Sequence, residues 1–395
     1  MPISIIISIV TSFIITYLII PQIVHVASEK RLFDEPNYRK LNKKVIPTMG
    51  GIAIFLGFTV SSILAMEKQT VSEIPFIYAA SLIMLFMGLK DDMIAIPARK
   101  KFLIQIGTAV LLVTLGNFRI DYLYGLFDIR ELPSWAGISL SFLIFLFLIN
   151  AFNLIDGIDG LAGGLACIIS GSLGIWFVMA GHADYAILSC ALCGSLIAFL
   201  RFNLAEGKNK IFMGDTGSLL LGVIIAALII KYINFNLFAP EKLYFRQAPL
   251  FALALLIVPA TDTIRVFMIR IIKMRSPFTP DMNHVHHILV KSGLSHPEAS
   301  CFLILYTIGF MVLAVSLQFY LPLTINFLLF LTISFSSVGL LALLQRTSEE
   351  QRPRMVVLKN GDREGEEINP NNLRWEIETT LEKAALITKK NIYKN

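Results

Sequence analysis

Apolar runs of membrane-spanning length recur almost from one end of this chain to the other. About eleven stretches of roughly 17 to 25 residues can be counted, centred on 3–24, 50–66, 75–89, 102–118, 136–153, 161–180, 184–200, 217–233, 248–272, 299–320 and 324–345. In lipid a backbone must satisfy its own N–H and C=O groups, which an α-helix does within one segment. The expected fold is therefore all-α: a polytopic membrane bundle of ten or eleven transmembrane helices. Composition agrees, because 395 residues that are 55% hydrophobic and 16% charged, with a mean hydropathy of +0.70, carry too much apolar surface for a soluble core.

The first run begins at Ile3 without a basic flank or a small-residue cleavage site, so it reads as a retained span. Lys and Arg collect in alternate loops, at Lys30–Lys44, Lys90–Lys101, Arg201–Lys210 and Arg265–Lys291, and are sparse in the others. The positive-inside rule then puts the N-terminus outside and the C-terminus in the cytoplasm. A net charge of +6 is accounted for by anionic lipid and anionic substrate, and no nucleic acid is needed. Cys167, Cys190, Cys193 and Cys301 all fall in apolar runs, and Cys190-x-x-Cys193 lacks a second Cys/His pair, so packing is the expected role. From about Arg346 the chain turns polar. Residues 1–345 are expected to form the membrane domain and 346–395 a charged cytoplasmic tail with a short helical segment near 373–387.

Between Asn150 and Gly164 an apolar run ends in N-A-F-N-L-I-D-G-I-D-G-L-A-G-G. Polar groups at membrane depth are costly and usually mark function. Mapped onto the expected topology, the acids and amides gather on one side. Asp91 and Asp92 leave the third span; Asn153, Asp156 and Asp159 follow the fifth; Asn203 follows the seventh, Asp215 precedes the eighth, and Asp262 lies in the ninth. They converge on a single cytoplasmic cleft.

Adjacent carboxylates such as Asp91 and Asp92 call for a cation, a basic partner or a raised pKa, although a solvated helix end beside Lys90 is the plain alternative. Asp215, between Gly214 and Gly217, opens an apolar helix beside its unpaired N–H groups; it is either a ligand-facing carboxylate or an ordinary cap. The segment Ser276 to His287 holds three histidines, His284, His286 and His287, downstream of Arg265 and Arg270. With no Cys and one acidic neighbour, it suits phosphate better than zinc. The loop Asp34 to Gly51, with Lys43 and Lys44, either anchors lipid headgroups or grips a diphosphate. Carboxylates without a Cys/His cage, beside basic loops, point to Mg²⁺-dependent phosphate chemistry, with Mn²⁺ as a substitute ion.

These motifs, in order, resemble the polyprenyl-phosphate N-acetylhexosamine-1-phosphate transferases of glycosyltransferase family 4, bacterial enzymes that initiate cell-envelope polymers. The resemblance spans about residues 30–295: D-E-P-N-Y-R-K, I-P-T-M-G-G, G-L-K-D-D, N-A-F-N-L-I-D-G-I-D-G, F-L-R-F-N, F-M-G-D-T-G-S, P-A-T-D-T-I-R and S-P-F-T-P-D-M-N-H-V-H-H. It implies transfer of a sugar 1-phosphate from a UDP-N-acetylhexosamine to undecaprenyl phosphate, releasing UMP, at a cytoplasm-facing site in the bacterial inner membrane. By the same resemblance Asp215 is a Mg²⁺ ligand with Asn153 near the metal and diphosphate. Asp156 and Asp159 help hold the uridine side, Lys43 binds substrate, and Asp91 and Asp92 activate or position the acceptor. His284, His286 and His287 handle phosphate, and Asn203 and Arg265 are counted with the substrate-binding residues. The H-x-H-H pattern, rather than a contiguous triplet, favours a UDP-N-acetylhexosamine donor over the phospho-MurNAc-pentapeptide alternative. A cation-coupled transporter is the rival of a different class, but it would place its polar groups near the midplane, often in repeated halves. A homodimer is compatible with this reading, and the ninth helix is expected to break or tilt near 264–273 to admit lipid.

Overall fold

A computed structural model describes residues 2–30, 46–67, 71–274, 283–350, 355–357 and 366–368. Lys43, Lys44, the segment 275–282 and the helical segment expected near 373–387 lie outside the described residues. The chain divides into two units, Met1–Leu340 and Leu341–Asn395. In the second, two short strands, Met355–Val357 and Glu366–Ile368, pair antiparallel.

The first unit is built from helices α1 (Pro2–Lys30), α2 (Gly50–Ala65), α3 (Ile74–Met93), α4 (Ala98–Val110), α5 (Ser134–Ile155), α6 (Leu161–Ala180), α7 (Ala183–Asn203) and α8 (Gly214–Asn236). It continues with α9 (Ala248–Leu255), α10 (Ile257–Ile272), α11 (Val285–Lys291) and α12 (His296–Leu317), while α13 (Leu323–Glu350) runs on past its end. Each apolar run of the sequence coincides with a helix or a helix pair. Among the described residues eight helices are long and apolar enough to cross a membrane, or nine with α9 and α10 taken as one bent span. The protein is thus a multi-pass membrane protein. The two remaining runs are shorter by that measure: α2 has 16 residues, and α4 has 13 before it passes into a π-turn over Leu111–Leu115.

The central helix is α8, apolar along its middle turns and almost wholly buried, whereas little of α1, or of α13 up to Leu343, is buried. A helix with no polar face has to be surrounded by protein or lipid. Its neighbours reach its first turn backbone to backbone. A Cβ on Gly88 of α3 would lie 2.5 Å from Thr216 N, and one on Gly51 of α2 would lie 2.5 Å from Gly217 Cα. Small residues permit this closeness, and the approach puts three helix ends around Asp215.

The α9–α10 pair bends by 60°. The break falls at Leu256, earlier than the expected 264–273. Pro259 has no N–H to give to the carbonyl of Leu255, so the ladder fails one turn ahead of the proline. At the end of α8 away from Asp215, a small hairpin, Tyr122–Leu126 with Ile129–Glu131, departs from the all-helical expectation. It docks through Tyr124 Oη, which donates to the carbonyl of Ile233 at 2.7 Å, and through Asp121 N, which donates to Asn234 Oδ1 at 3.1 Å. Beside it, Lys231 of α8 pairs with Glu73 at 2.6 Å, and Tyr185 of α7 donates to the same carboxylate at 2.6 Å.

Candidate active site

The first turn of α8 has N–H groups with no partner inside the helix, and Asp92 of α3 supplies one. Its carboxylate accepts from Asp215 N at 2.8 Å, Thr216 N at 3.0 Å and Thr216 Oγ1 at 2.5 Å. Asp92 is therefore a cap delivered from another helix. On the other side, the approach to α2 and its first turn bond backbone to backbone with 212–213: Phe212 N donates to Pro47 O (2.8 Å), Gly50 N to Phe212 O (2.9 Å) and Gly51 N to Met213 O (3.1 Å). The I-P-T-M-G-G and F-M-G-D-T-G-S motifs are two halves of one structure.

This collar leaves Asp215 partly open at the start of α8, its side chain 31% exposed. Its Oδ1 accepts from Asn153 Nδ2 at 2.7 Å, and the same amide donates to Ser218 Oγ at 3.0 Å. Its Oδ2 lies 2.5 Å from Lys101 Nζ, which also contacts Asp91 Oδ2 at 2.9 Å. The other oxygen of Asp91 accepts from Ile96 N at 2.6 Å. Two carboxylates from different helices thus converge on one cationic point. Among the described residues no group of three or more His, Cys, Asp or Glu makes a metal cage. The Asp215 carboxylate with the Asn153 amide beside it is an oxygen donor set that fits a Mg²⁺-type ion, which keeps waters and shares substrate phosphates, and does not fit a closed all-protein site.

Asp156 ends α5 and makes no hydrogen bond or ion pair among the described residues. Burial, and then the charges of Asp215, Asp92 and Asp159, push its carboxyl well above the usual range. A carboxylate left unpaired among others is poised to meet a proton, a cation or a ligand donor.

Asp159 is differently placed. Lys210 Nζ lies 2.7 Å from its Oδ2, and His296 Nδ1 lies 3.6 Å from it. Burial works to raise its pKa, but the His296 and Lys210 hydrogen bonds outweigh burial and hold it below the usual value. The turn is secured from behind. Asn203 Oδ1 accepts from Gly160 N at 2.7 Å while its Nδ2 donates to Ile211 O at 3.0 Å, and Ser300 Oγ donates to Asp159 O at 2.7 Å. The amide of Asn203 is spent on backbone, so this residue shapes the cleft from behind its wall.

The three histidines part company. His284 is buried and points Nδ1 at Asp262 Oδ2, 2.8 Å away. Arg265 donates to Asp262 Oδ1 at 3.1 Å and also to the carbonyl of Asn283. His286, also buried, packs against Gly157, where a Cβ would collide with its ring, and neither ring nitrogen has a hydrogen-bond partner among the described residues. Burial first, then the neighbouring charge of His287, drives its pKa down to about 3, so it is neutral at pH 7. The ring of His287 lies 4.3 Å from that of His286.

Asp91, Asp92, Asn153, Asp156, Asp215 and the Asp159 turn meet at one end of the bundle, with His286 against that turn. Sequence reasoning assigned no role to Lys101 or Lys210. Their only local signal was membership in basic loops; Lys101 meets Asp91 10 residues back and Asp215 114 residues on, and Lys210 meets Asp159 51 residues back.

The membrane-embedded bundle thus gathers carboxylates, a lysine and a histidine at one end. The model of the family described as glycosyl transferase family 4 matches residues 74–233, the stretch from α3 to α8 that carries Asp91 through Asp215. A Bacillus subtilis (strain 168) protein named a probable undecaprenyl-phosphate N-acetylglucosaminyl 1-phosphate transferase is 33% identical over 312 residues, 78% of this chain and 83% of its own. Proteins named undecaprenyl-phosphate alpha-N-acetylglucosaminyl 1-phosphate transferase are similar as well. The one from Yersinia pestis is 30% identical over 279 residues, covering 69% of this chain and 73% of its own. The one from Escherichia coli (strain K12) is 28% identical over 282 residues, with the same coverage. The chain belongs to glycosyl transferase family 4.

Proposed function

We propose that this protein transfers N-acetylglucosamine 1-phosphate from its UDP-sugar to undecaprenyl phosphate and releases UMP. The observation that carries this reading is the convergence of Asp91 and Asp215 on one cationic point, 2.9 and 2.5 Å from Lys101 Nζ. In the reaction an oxygen of the lipid phosphate bonds to the sugar-bearing phosphorus, and the bond from that phosphorus to the UMP oxygen breaks, its electrons leaving with UMP. The lipid phosphate, with a second pKa near 6, is already mostly dianionic at neutral pH. Positioning and charge neutralisation are therefore the larger demands on the protein.

Lys101, held in place by Asp91, orients the phosphates at the first turn of α8. Asp215, with Asn153 beside it, would hold a Mg²⁺ or Mn²⁺ ion, whose contribution when bound is to neutralise charge on the diphosphate. Asp156 meets the donor, and the turn through Asp159 with His286 and His287 forms the nucleotide side. Because nucleotide sugars are cytosolic, the Asp215 end faces the cytoplasm and the protein sits in the bacterial inner membrane, initiating a cell-envelope polymer.

The test is transfer by the purified protein in detergent from radiolabelled UDP-GlcNAc to undecaprenyl phosphate, with UDP-GalNAc and 6-deoxy analogues in parallel. Lipid-linked product with equimolar UMP, abolished by EDTA and restored by Mg²⁺, is expected without any ion gradient. Absence of lipid-linked product, or product insensitive to chelation, overturns the reading.

A further inference from the structure

Asp262 has no place in the chemistry above, yet it is 1% exposed in a helix of the bent membrane span. A buried carboxylate in such a helix is costly and calls for an account of its partners. It has three. His284 Nδ1 lies 2.8 Å from Oδ2, while Val285 N at 2.9 Å and Arg265 Nη2 at 3.1 Å both reach Oδ1. Val285 is the first residue of α11, and its N-cap, His284, makes no side-chain cap of its own. The carboxylate thus does two jobs across a gap of more than twenty residues: it caps α11 and it holds the ring of the residue before it. Arg265, one turn along α10, adds a grip on the carbonyl of Asn283.

We propose that Asp262 is the positioning residue of the histidine segment, fixing His284 so that α11 sets His286 against the nucleotide-side turn. A carboxylate offers only acceptors, so His284 Nδ1 must carry the proton. That leaves Nε2 to face the guanidinium of Arg270, whose Nη2 is 3.5 Å away. One turn further along, His286 packs on Gly157, between Asp156 and Asp159. The geometry of the turn is therefore read out by His286, and the placement of His286 depends on Asp262. The role rests on the donor assignment given above.

The test compares Asp262→Asn, Asp262→Glu and Asp262→Ala in the full-length protein. The Asn side chain can still cap Val285 through its carbonyl, but its NH2 would meet His284 Nδ1 and force the proton onto Nε2, opposite Arg270. The expected result for Asp262→Asn is an apparent melting temperature close to wild type and a fall of about 10- to 100-fold in kcat/KM for the UDP-sugar. KM for the lipid acceptor stays unchanged. In ¹⁵N-histidine-labelled protein the His284 Nδ1 resonance, assigned by its loss in His284→Gln, moves from the protonated to the unprotonated position. Asp262→Glu recovers part of the activity, and Asp262→Ala loses both activity and stability. Wild-type kcat/KM in Asp262→Asn, an unchanged His284 tautomer, or losses that follow melting temperature across all three variants overturns the proposal. If wild-type protein used no UDP-sugar, the donor assignment would fail while the tautomer measurement still judged Asp262.

Discussion

The carboxylate of Asp92 holds Thr216 twice, accepting from its backbone N–H at 3.0 Å and its hydroxyl at 2.5 Å. The helix that presents Asp215 therefore begins on a side chain from the helix that presents Asp91. This assigns unequal duties to the adjacent pair. Asp91 faces Lys101 and the cleft, and Asp92 sets where α8 starts.

Asp92→Ala is expected to destabilise the protein by about 1–3 kcal/mol, the range for losing a charge-assisted cap. Asp92→Asn retains an acceptor, so it loses less stability while transfer still falls. Because the role is structural, the activity loss should be the same from pH 6 to pH 9. Recovery of Asp92→Asn at pH 9 would instead reveal a base.

Lys101→Met is expected to lower transfer by about 100-fold or more, the cost of removing one donor aimed at developing charge. Lys101→Arg should not rescue it. One compact ammonium satisfies Asp91 and Asp215 together, whereas a planar guanidinium presents its donors in a fork. Steady-state assays on both variants decide the matter.

Gly88→Ala would drive a methyl into the backbone of Thr216, with N only 2.5 Å away. No rotamer relieves a backbone collision, so α3 and α8 must separate. A loss of about 1–3 kcal/mol is expected, read as a lower melting temperature with activity reduced in parallel.

Asp159 makes a pH prediction whose sign follows from its lowered pKa. Stability from its pairing with Lys210 and His296 is fully present above the ordinary value of 3.8 and is lost as pH falls through the lower folded value. The melting temperature of the wild type should therefore drop more steeply below about pH 4 than that of Asp159→Asn. Parallel curves would remove Asp159 from the account.

Much of the architecture was readable one residue at a time. Apolar length marks each helix, since a bilayer imposes its thickness on any segment that crosses it. Asn153, Asp156 and Asp215 were equally visible, because a polar group at the end of an apolar run is costly enough to need a reason. Pro259 also carried a readable signal, and it places the bend of the ninth span at Leu256, earlier than the expected 264–273.

Pairing was not readable. Asn150, whose amide resembles that of Asn153 three residues on, turns instead to Gln105 of α4 at 2.9 Å and ties two helices together. Asp92 differs from Asp91 by one position, which on a helix is a rotation of about 100° toward a different neighbour. Asn203 has the composition of a ligand-binding residue but spends both ends of its amide on backbone. That this chain crosses a membrane many times, with its carboxylates at one end, follows from hydropathy and chain order, which are local properties. Which carboxylate meets Lys101, which caps α8 and which steadies His284 is settled by packing, because those partners lie up to 124 residues away and meet only when helices come together.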